Sequence, residues 1–216
     1  MYTPPAYAEL NVPLLHARMR EWSFATLITH GAQGLNATHL PFLLEPQAGA
    51  QGTLVTHLAR ANAQFEDLRG GARAWVIFQG PHAFISPSWY VNRLTFTTWN
   101  YTAIHAQGRP ELVEDPAAIH VILRAMVAHY DTPVGGEWSF GDMPEAMTQP
   151  RLRAIAGVRI PLDKVEGKMK LNQDKSVADR LSVIAALERR GGEQAQGVAQ
   201  MIREQPDMHP PQGSPS

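Results

Sequence analysis

The feature that most limits how this 216-residue chain can fold is a series of short strand-like segments, most of them ended by glycine or proline. The segments are rich in aromatic and β-branched residues, and several alternate between apolar and polar side chains, which is typical of antiparallel strands. They cover residues 23–29, 35–44, 53–58, 74–78, 83–86, 97–107 and 155–171. The pattern predicts a mainly β fold of the α+β class, an antiparallel β-barrel of six to seven strands with flanking helices.

Helical patterns precede, interrupt and follow these strands. A first helix is predicted over residues 11–21, and a second begins at Asp115, whose side chain can cap it. Ser176 and Asp179 form a capping box for a third helix, which ends at Gly191. The predicted divisions of the chain are a barrel domain over residues 1–190, a helical extension over 191–204 and a disordered tail over 205–216.

Composition limits the partners and the location of the protein. The chain has no cysteine, a formal net charge of −1 and no run of eighteen apolar residues. These features exclude disulfides and thiolate catalysis, predict no membrane-spanning helix and suit a cytoplasmic protein. A net charge near zero argues against direct DNA binding, because phosphate contacts require a basic excess. The densest basic patch suits one small anionic ligand and consists of Lys164, Lys168, Lys170 and Lys175.

Four polar segments lie where plain strand alternation would be expected. A Thr-His pair late in the second strand either bonds at a sheet edge or lines a site. Arg60 precedes a helix that begins near Asn62, and this arrangement makes either an anion site or a solvated arginine. Residues 80–90 and 97–101 combine hydroxyl donors with flat aromatic surfaces, which suits a cofactor wall or core packing. The histidines show no metal-binding spacing.

Taken in order, these segments resemble the PaiB family of FMN-binding negative transcriptional regulators. The matching pieces are Met1-Tyr2 with Pro4, then residues 37–41, 57–65, 80–90, 98–101 and 165–173, and the match covers most of residues 1–190. The chain departs from the family pattern at Ala63-Gln64-Phe65, where Pro-Gln-Trp is common, and at Asn172, where serine is common. Both departures keep the character of the position.

The resemblance implies an FMN-binding split barrel, in which two subunits pack together and each FMN lies in the groove between them. It implies that Thr38 and His39 line the flavin edge. The residues that it assigns to the phosphate and ribityl group are Thr56, His57, Arg60 and Asn62. Those that would contact the cofactor or complete its pocket are Ser86, Ser88, Trp89, Thr98, Trp99 and Asn100. Those that would close the site, from the same or the partner chain, are Lys168, Lys170 and Gln173. Arg60 is the strongest phosphate candidate, because a guanidinium can hold two phosphate oxygens.

Three functions are compatible with a bound flavin, and we rank them in this order. The first is a negative transcriptional regulator that acts through a partner or through flavin chemistry. The second is an FMN-dependent oxidoreductase of the flavin reductase or pyridoxamine-phosphate oxidase type, with His39, His57 or Tyr101 as proton donor. The third is a haem-handling barrel with His82 or His105 as the axial ligand. Because split barrels host several chemistries, the sequence leaves open whether the chain is an enzyme.

Overall fold

The structure is a computed structural model that describes residues 1–208. Its strands are β1 Ala8–Glu9, β2 Phe24–Gly31, β3 Gly34–Pro41, β4 Leu43–Glu45, β5 Thr53–Ala59, β6 Ala74–Ile85, β7 Thr98–Gly108, β8 Glu111–Val113 and β9 Ile155–Lys170. Its α-helices are α1 Val12–Glu21, α2 Ala63–Arg69, α3 Pro116–Tyr130, α4 Glu145–Ala154, α5 Val177–Arg190 and α6 Glu193–Arg203. Short 3₁₀ helices cover Pro5–Tyr7, Pro87–Trp89, Thr132–Val134, Phe140–Asp142 and Pro206–Met208.

The strands form one sheet in the order β3-β2-β6-β7-β9-β5-β4, with β1 and β8 also paired to β9. β2 and β3 make an antiparallel hairpin in which Phe24 lies opposite Pro41 and Gly31 opposite Gly34. β5 pairs antiparallel with the first half of β9. The main order has seven strands, within the predicted six to seven, and the two additional strands are only two and three residues long. Two predicted boundaries were wrong: residues 74–78 and 83–86 belong to the single strand β6, which continues through Gly80-Pro81, and residues 35–44 divide into β3 and β4.

The helix starts follow the capping residues in the sequence. The Asp115 carboxylate accepts a hydrogen bond from the Ala118 N–H at 2.9 Å, and the Ser176 hydroxyl accepts one from the Asp179 N–H at 3.1 Å. Helix α4 was not predicted, because Pro150 lies inside it and proline normally ends a helix. No helix within residues 1–208 is long and apolar enough to cross a membrane.

The chain divides into two compact units. The larger unit comprises Asn11–Phe78 and Ile104–Val165. Its core includes Phe42 and Phe78, whose rings meet edge to face at 6.0 Å. A second buried cluster packs α3 against β5 through Val55, Ile122 and Met126.

The smaller unit comprises Met1–Leu10, Gln79–Ala103 and the described residues of Glu166–Ser216. Here α5 and α6 pack together through buried side chains, among them Val183, Leu187, Val198 and Ile202. The buried Arg180 bonds to Gln205 at 2.7 Å and pairs with Asp207, and these bonds hold the 3₁₀ helix Pro206–Met208. These contacts involve residues 205–208 of the segment predicted as a tail, and residues 209–216 of that segment lie outside the described residues.

Candidate functional site

In the larger unit, buried polar side chains anchor α2 to the β2–β3 hairpin. The fully buried Gln64 donates to the Leu27 carbonyl, the Thr29 hydroxyl and the Asn36 carbonyl at 3.1–3.2 Å. The Asp67 carboxylate accepts from the Thr29 hydroxyl at 2.7 Å and from the Asn36 amide at 2.9 Å. Neither residue was assigned a role from the sequence, where the only signal is their three-residue spacing on a short amphipathic helix. These bonds fix α2 against the hairpin.

Two predicted site residues meet at that helix start. Asn62 caps α2, because its side-chain oxygen accepts from the Gln64 N–H at 2.9 Å. Its amide nitrogen donates to the Thr38 hydroxyl at 3.0 Å. Both side chains are partly exposed. The structure therefore joins Thr38 on β3 and Asn62 on α2 into one polar pair with groups that can also bond to a ligand.

His39 faces the other side of the sheet. Adjacent residues of a strand point to opposite faces, so His39 cannot share the environment of Thr38. Its Nδ1 lies 2.9 Å from the Thr26 hydroxyl, and its ring is 6.4 Å from that of Phe24. The side chain is exposed. His39 is thus placed on an open sheet face of the larger unit.

Thr56 and His57 have partners within the protein. Thr56 is fully buried, and its hydroxyl donates to the Pro41 carbonyl at 2.7 Å. His57 points the other way, with Nδ1 3.3 Å from the Met126 sulfur. Burial lowers the pKa of His57, so the imidazole is neutral at pH 7. Neither side chain contacts the Thr38–Asn62 pair in the structure's hydrogen-bond network.

Arg60 follows β5 and is ion-paired. Its guanidinium lies 2.5 Å from the Glu114 carboxylate, donates from Nε to the Ile155 carbonyl at 3.0 Å and lies over the Phe65 ring at 5.2 Å. The side chain retains 31% exposure. An anion can therefore reach the guanidinium, in competition with Glu114. This partner could not be predicted from the sequence, because Glu114 is 54 residues away and belongs to no recognisable motif.

In the smaller unit, the end of β6 forms an aromatic surface with β7. Trp99 is 53% exposed, and its ring lies 6.2 Å from His82 and 6.1 Å from Phe84. Ser86 caps the 3₁₀ helix that contains Ser88 and Trp89, accepting from the Ser88 N–H at 3.2 Å. The predicted haem ligand His82 is therefore packed beside a tryptophan. The other, His105, lies in the larger unit with its ring 6.5 Å from Trp75.

The two predicted lysines of β9 contact residues of their own unit. Lys170 donates to the Thr98 hydroxyl. Lys168 is 7% exposed, donates to the Tyr2 carbonyl at 3.1 Å and lies 5.0 Å from the Tyr101 ring. Tyr2 had no assigned role, although it belongs to the N-terminal piece of the family resemblance. Gln173 bonds at both ends to backbone, with the Leu171 N–H at 2.7 Å and the Met169 carbonyl.

Asn100 carries the strongest sign that a polar ligand completes the smaller unit. Its side chain is fully buried, and neither its amide nitrogen nor its oxygen has a hydrogen-bond partner among residues 1–208. Leaving such groups unpaired is costly, so native proteins rarely do it without a function. A ligand that presents donors and acceptors together fits Asn100, and an anion fits Lys168 and Lys170. No three His, Asp or Glu side chains in the described part of the chain are placed to hold a metal.

Comparisons with known proteins agree with this picture. A family model described as "Putative FMN-binding domain" matches residues 1–164. "Protease synthase and sporulation protein PAI 2" of Bacillus subtilis is 28% identical over 207 residues, covering 94% of this chain and 97% of the relative. The flavocytochrome Anf3 of Azotobacter vinelandii superposes with a TM-score of 0.59 at 16% identity, over 76% of this chain and 69% of the other. The FAD and haem binding protein of Mycobacterium smegmatis gives 0.56 at 16% identity, over 87% and 81%. The predicted barrel fold is thereby confirmed.

Proposed function

Because the chain belongs to the FMN-binding domain family that its residues 1–164 match, we propose that it works as a flavin-loaded homodimer and as a negative transcriptional regulator of the PaiB type. FMN is its cofactor, and its fold is the α+β split barrel. It is PaiB-like, with similarity to PAI 2 over nearly the whole of both chains. Bound FMN supplies redox chemistry, and the protein supplies orientation and electrostatics.

In the larger unit, we assign contacts with FMN to Arg60, Thr38 and Asn62. Arg60 is an accessible cation beside the start of α2, and the other two present a hydroxyl and an amide at the same helix. In the smaller unit, Lys168, Lys170 and Asn100 are assigned because they offer two cations and an unpaired amide. Thr56 and His57 are left out: the hydroxyl of Thr56 is already used, and His57 lies among apolar groups.

The main support for the proposed homodimer is an exposed apolar sheet face in the larger unit, which we call the outer sheet face. Phe24, Leu35 and Trp75 are 70%, 68% and 40% exposed on β2, β3 and β6. The strand register puts Ile28 beside Trp75, and His39 belongs to the same face. Apolar patches of this kind mark interaction surfaces. A second copy is the proposed occupant, because the same face on two copies can pair about a two-fold axis.

Trp75→Glu is expected to dissociate the dimer, because it buries a charge in the proposed interface. The dissociation constant of the dimer, measured by sedimentation velocity, should rise at least about 100-fold. FMN affinity should fall in parallel if the cofactor binds at the interface. Val121→Glu is the matched control, since Val121 is 66% exposed in the same unit but lies on α3. A monomeric wild type, or a Trp75→Glu variant that stays dimeric, would contradict the interface.

Regulation through a partner or through the flavin fits the charge of the chain. The formal net charge is −1, and a dimer doubles this negative charge without adding a basic surface. Direct contact with many phosphates would need the opposite balance. The proposed regulator therefore acts on transcription through another macromolecule, and the redox state of FMN is the signal that it can report.

An oxidoreductase is the second candidate, and it is favoured by Tyr101. The Lys168 ammonium lies 5.0 Å from this ring, so a phenol and a cation adjoin residues assigned to the cofactor. Anaerobic addition of NADH or NADPH distinguishes the two functions. We expect the flavin absorbance band at about 450 nm to persist, as in a regulator that does not turn over nicotinamide. Rapid bleaching, slowed in Tyr101→Phe but not in His39→Gln, would instead establish the enzyme.

A further inference from the structure

The larger unit contains an apolar pocket of about 370 Å³. None of its lining residues is assigned to FMN in the proposed function. Its walls come from α3, the 3₁₀ helix Phe140–Asp142, α4 and the start of β9, and include Leu123, Leu152 and Ile155. Ligand pockets in proteins are about 300–1,000 Å³ and mostly apolar with a few polar groups. This volume lies at the small end of that range, so it suits a molecule of one or two rings.

Two aromatic side chains, Trp138 and Phe140, form one wall of the pocket and are held by contacts with their neighbours. The rings of Trp138 and Phe140 meet edge to face at 4.5 Å, and Phe140 meets His120 at 5.0 Å in the same manner. The Trp138 N–H donates to the Asp131 carboxylate at 3.2 Å, which fixes the backbone at this point. Aromatic pairs prefer such edge contacts, and Trp138, which is 45% exposed, keeps ring surface that a planar ligand can contact.

The polar groups of the pocket select for charge. Arg151 lies on its exposed side, and no Asp or Glu is among the lining residues. His57 closes the inner side as a neutral imidazole, because burial lowers its pKa. A cation would thus be repelled by the Arg151 guanidinium, whereas a carboxylate would gain a charge-assisted hydrogen bond from it.

We propose that this pocket binds a small planar aromatic carboxylate, with its ring against Trp138 and Phe140 and its carboxylate on Arg151. The site would give the protein a second ligand besides FMN. The proposal does not depend on how the flavin is used. It does adjoin Arg60, whose N–H donates to the carbonyl of Ala154 at the pocket wall, so competition with FMN has to be measured.

The test is calorimetric titration of 2-naphthoate into the FMN-loaded wild-type protein. We expect saturable binding with a Kd below about 1 mM, as the size of the probe allows. Ala154→Phe places a ring in the pocket from an exposed wall position and should raise the Kd at least about 10-fold. Ala146→Phe makes the same change on the exposed side of α4 outside the pocket and should leave the Kd within about twofold.

The charge is tested with Arg151→Gln and the neutral probe 2-naphthamide. Arg151→Gln should weaken 2-naphthoate about 5- to 10-fold without affecting 2-naphthamide, and Arg153→Gln on the same helix should affect neither. If the wild type bound 2-naphthoate and 2-naphthamide with equal affinity, the proposed preference for a carboxylate would be wrong. Absent binding, or binding indifferent to Ala154→Phe, would overturn the site. Release of FMN by 2-naphthoate would show that the pocket belongs to the flavin, and would also overturn the proposal.

Discussion

Arg60→Ala is expected to lower the affinity for FMN by about 1–3 kcal/mol, or about 5- to 150-fold, through loss of a charge-assisted bond to the phosphate. Glu114→Gln should have the opposite effect. Glu114 pairs with the same guanidinium in the structure, so removing its charge frees Arg60 and removes a carboxylate that repels phosphate. The expected gain is about 2- to 5-fold, because a half-exposed ion pair is worth less than 1 kcal/mol or so. Fluorescence titration of FMN into apoprotein measures both changes.

The opposed signs distinguish a phosphate ligand from a structural arginine. Both substitutions break the same ion pair, so a purely structural pair would lower stability in both variants and leave FMN affinity alike in both. Arg69→Ala is the matched control: this arginine also lies over the Phe65 ring, at 5.6 Å, but stands in the last turn of α2. If Arg60→Ala bound FMN as tightly as the wild type, the assignment of Arg60 to the FMN phosphate would be wrong.

The Arg60–Glu114 pair also shows what the sequence could not supply about the site. The chemical type of Arg60 and the start of α2 near Asn62 were both predictable, because capping and charge are local properties. The partner was not, because Glu114 is brought there by the pairing of β8 with β9. A site prediction based on residue type therefore counts every cation as free. Only the fold shows which cations already have a carboxylate.

Strand alternation, in contrast, was available in the sequence and was not used for the site. Thr38 and His39 are neighbours on β3, so a period of two already places them on opposite faces. The structure agrees: Thr38 bonds to Asn62, and His39 to Thr26. The family resemblance grouped them on one flavin edge. That grouping requires a second surface to reach His39, and a partner subunit on the outer sheet face would provide it.

Most of the fold was predictable because its signals are local. The capped starts of α3 and α5 and the long strand β9 lie where the sequence placed them. Helix α4 was missed because Pro150 opposes it locally, and its buried Leu152 stabilises it only in the folded unit. The position of the 3₁₀ helix Pro206–Met208 depends on Arg180, whose bonds to Gln205 and Asp207 span 25 and 27 residues of sequence. The periodicity of apolar residues in the sequence cannot predict such long-range bonds.

Gly108→Ala is expected to destabilise the protein by about 2–4 kcal/mol, because the new methyl group has no room. Gly108 ends β7 in the larger unit, and a Cβ there would lie 2.1 Å from the Pro161 carbonyl oxygen on β9. The obstacle is backbone, so the sheet itself would have to move. Gly157→Ala should cost less, about 1–2 kcal/mol, because its Cβ would meet side chains rather than backbone. The nearest atoms are the Ile122 Cδ1 at 2.6 Å, which can rotate away, and the Val113 Cβ at 3.1 Å. Gly141→Ala is the control, with only the Ser139 hydroxyl within 4 Å. Urea unfolding of the three FMN-free variants measures this order, and a Gly108→Ala protein as stable as Gly141→Ala would mean that β7 and β9 do not approach as closely as the structure shows.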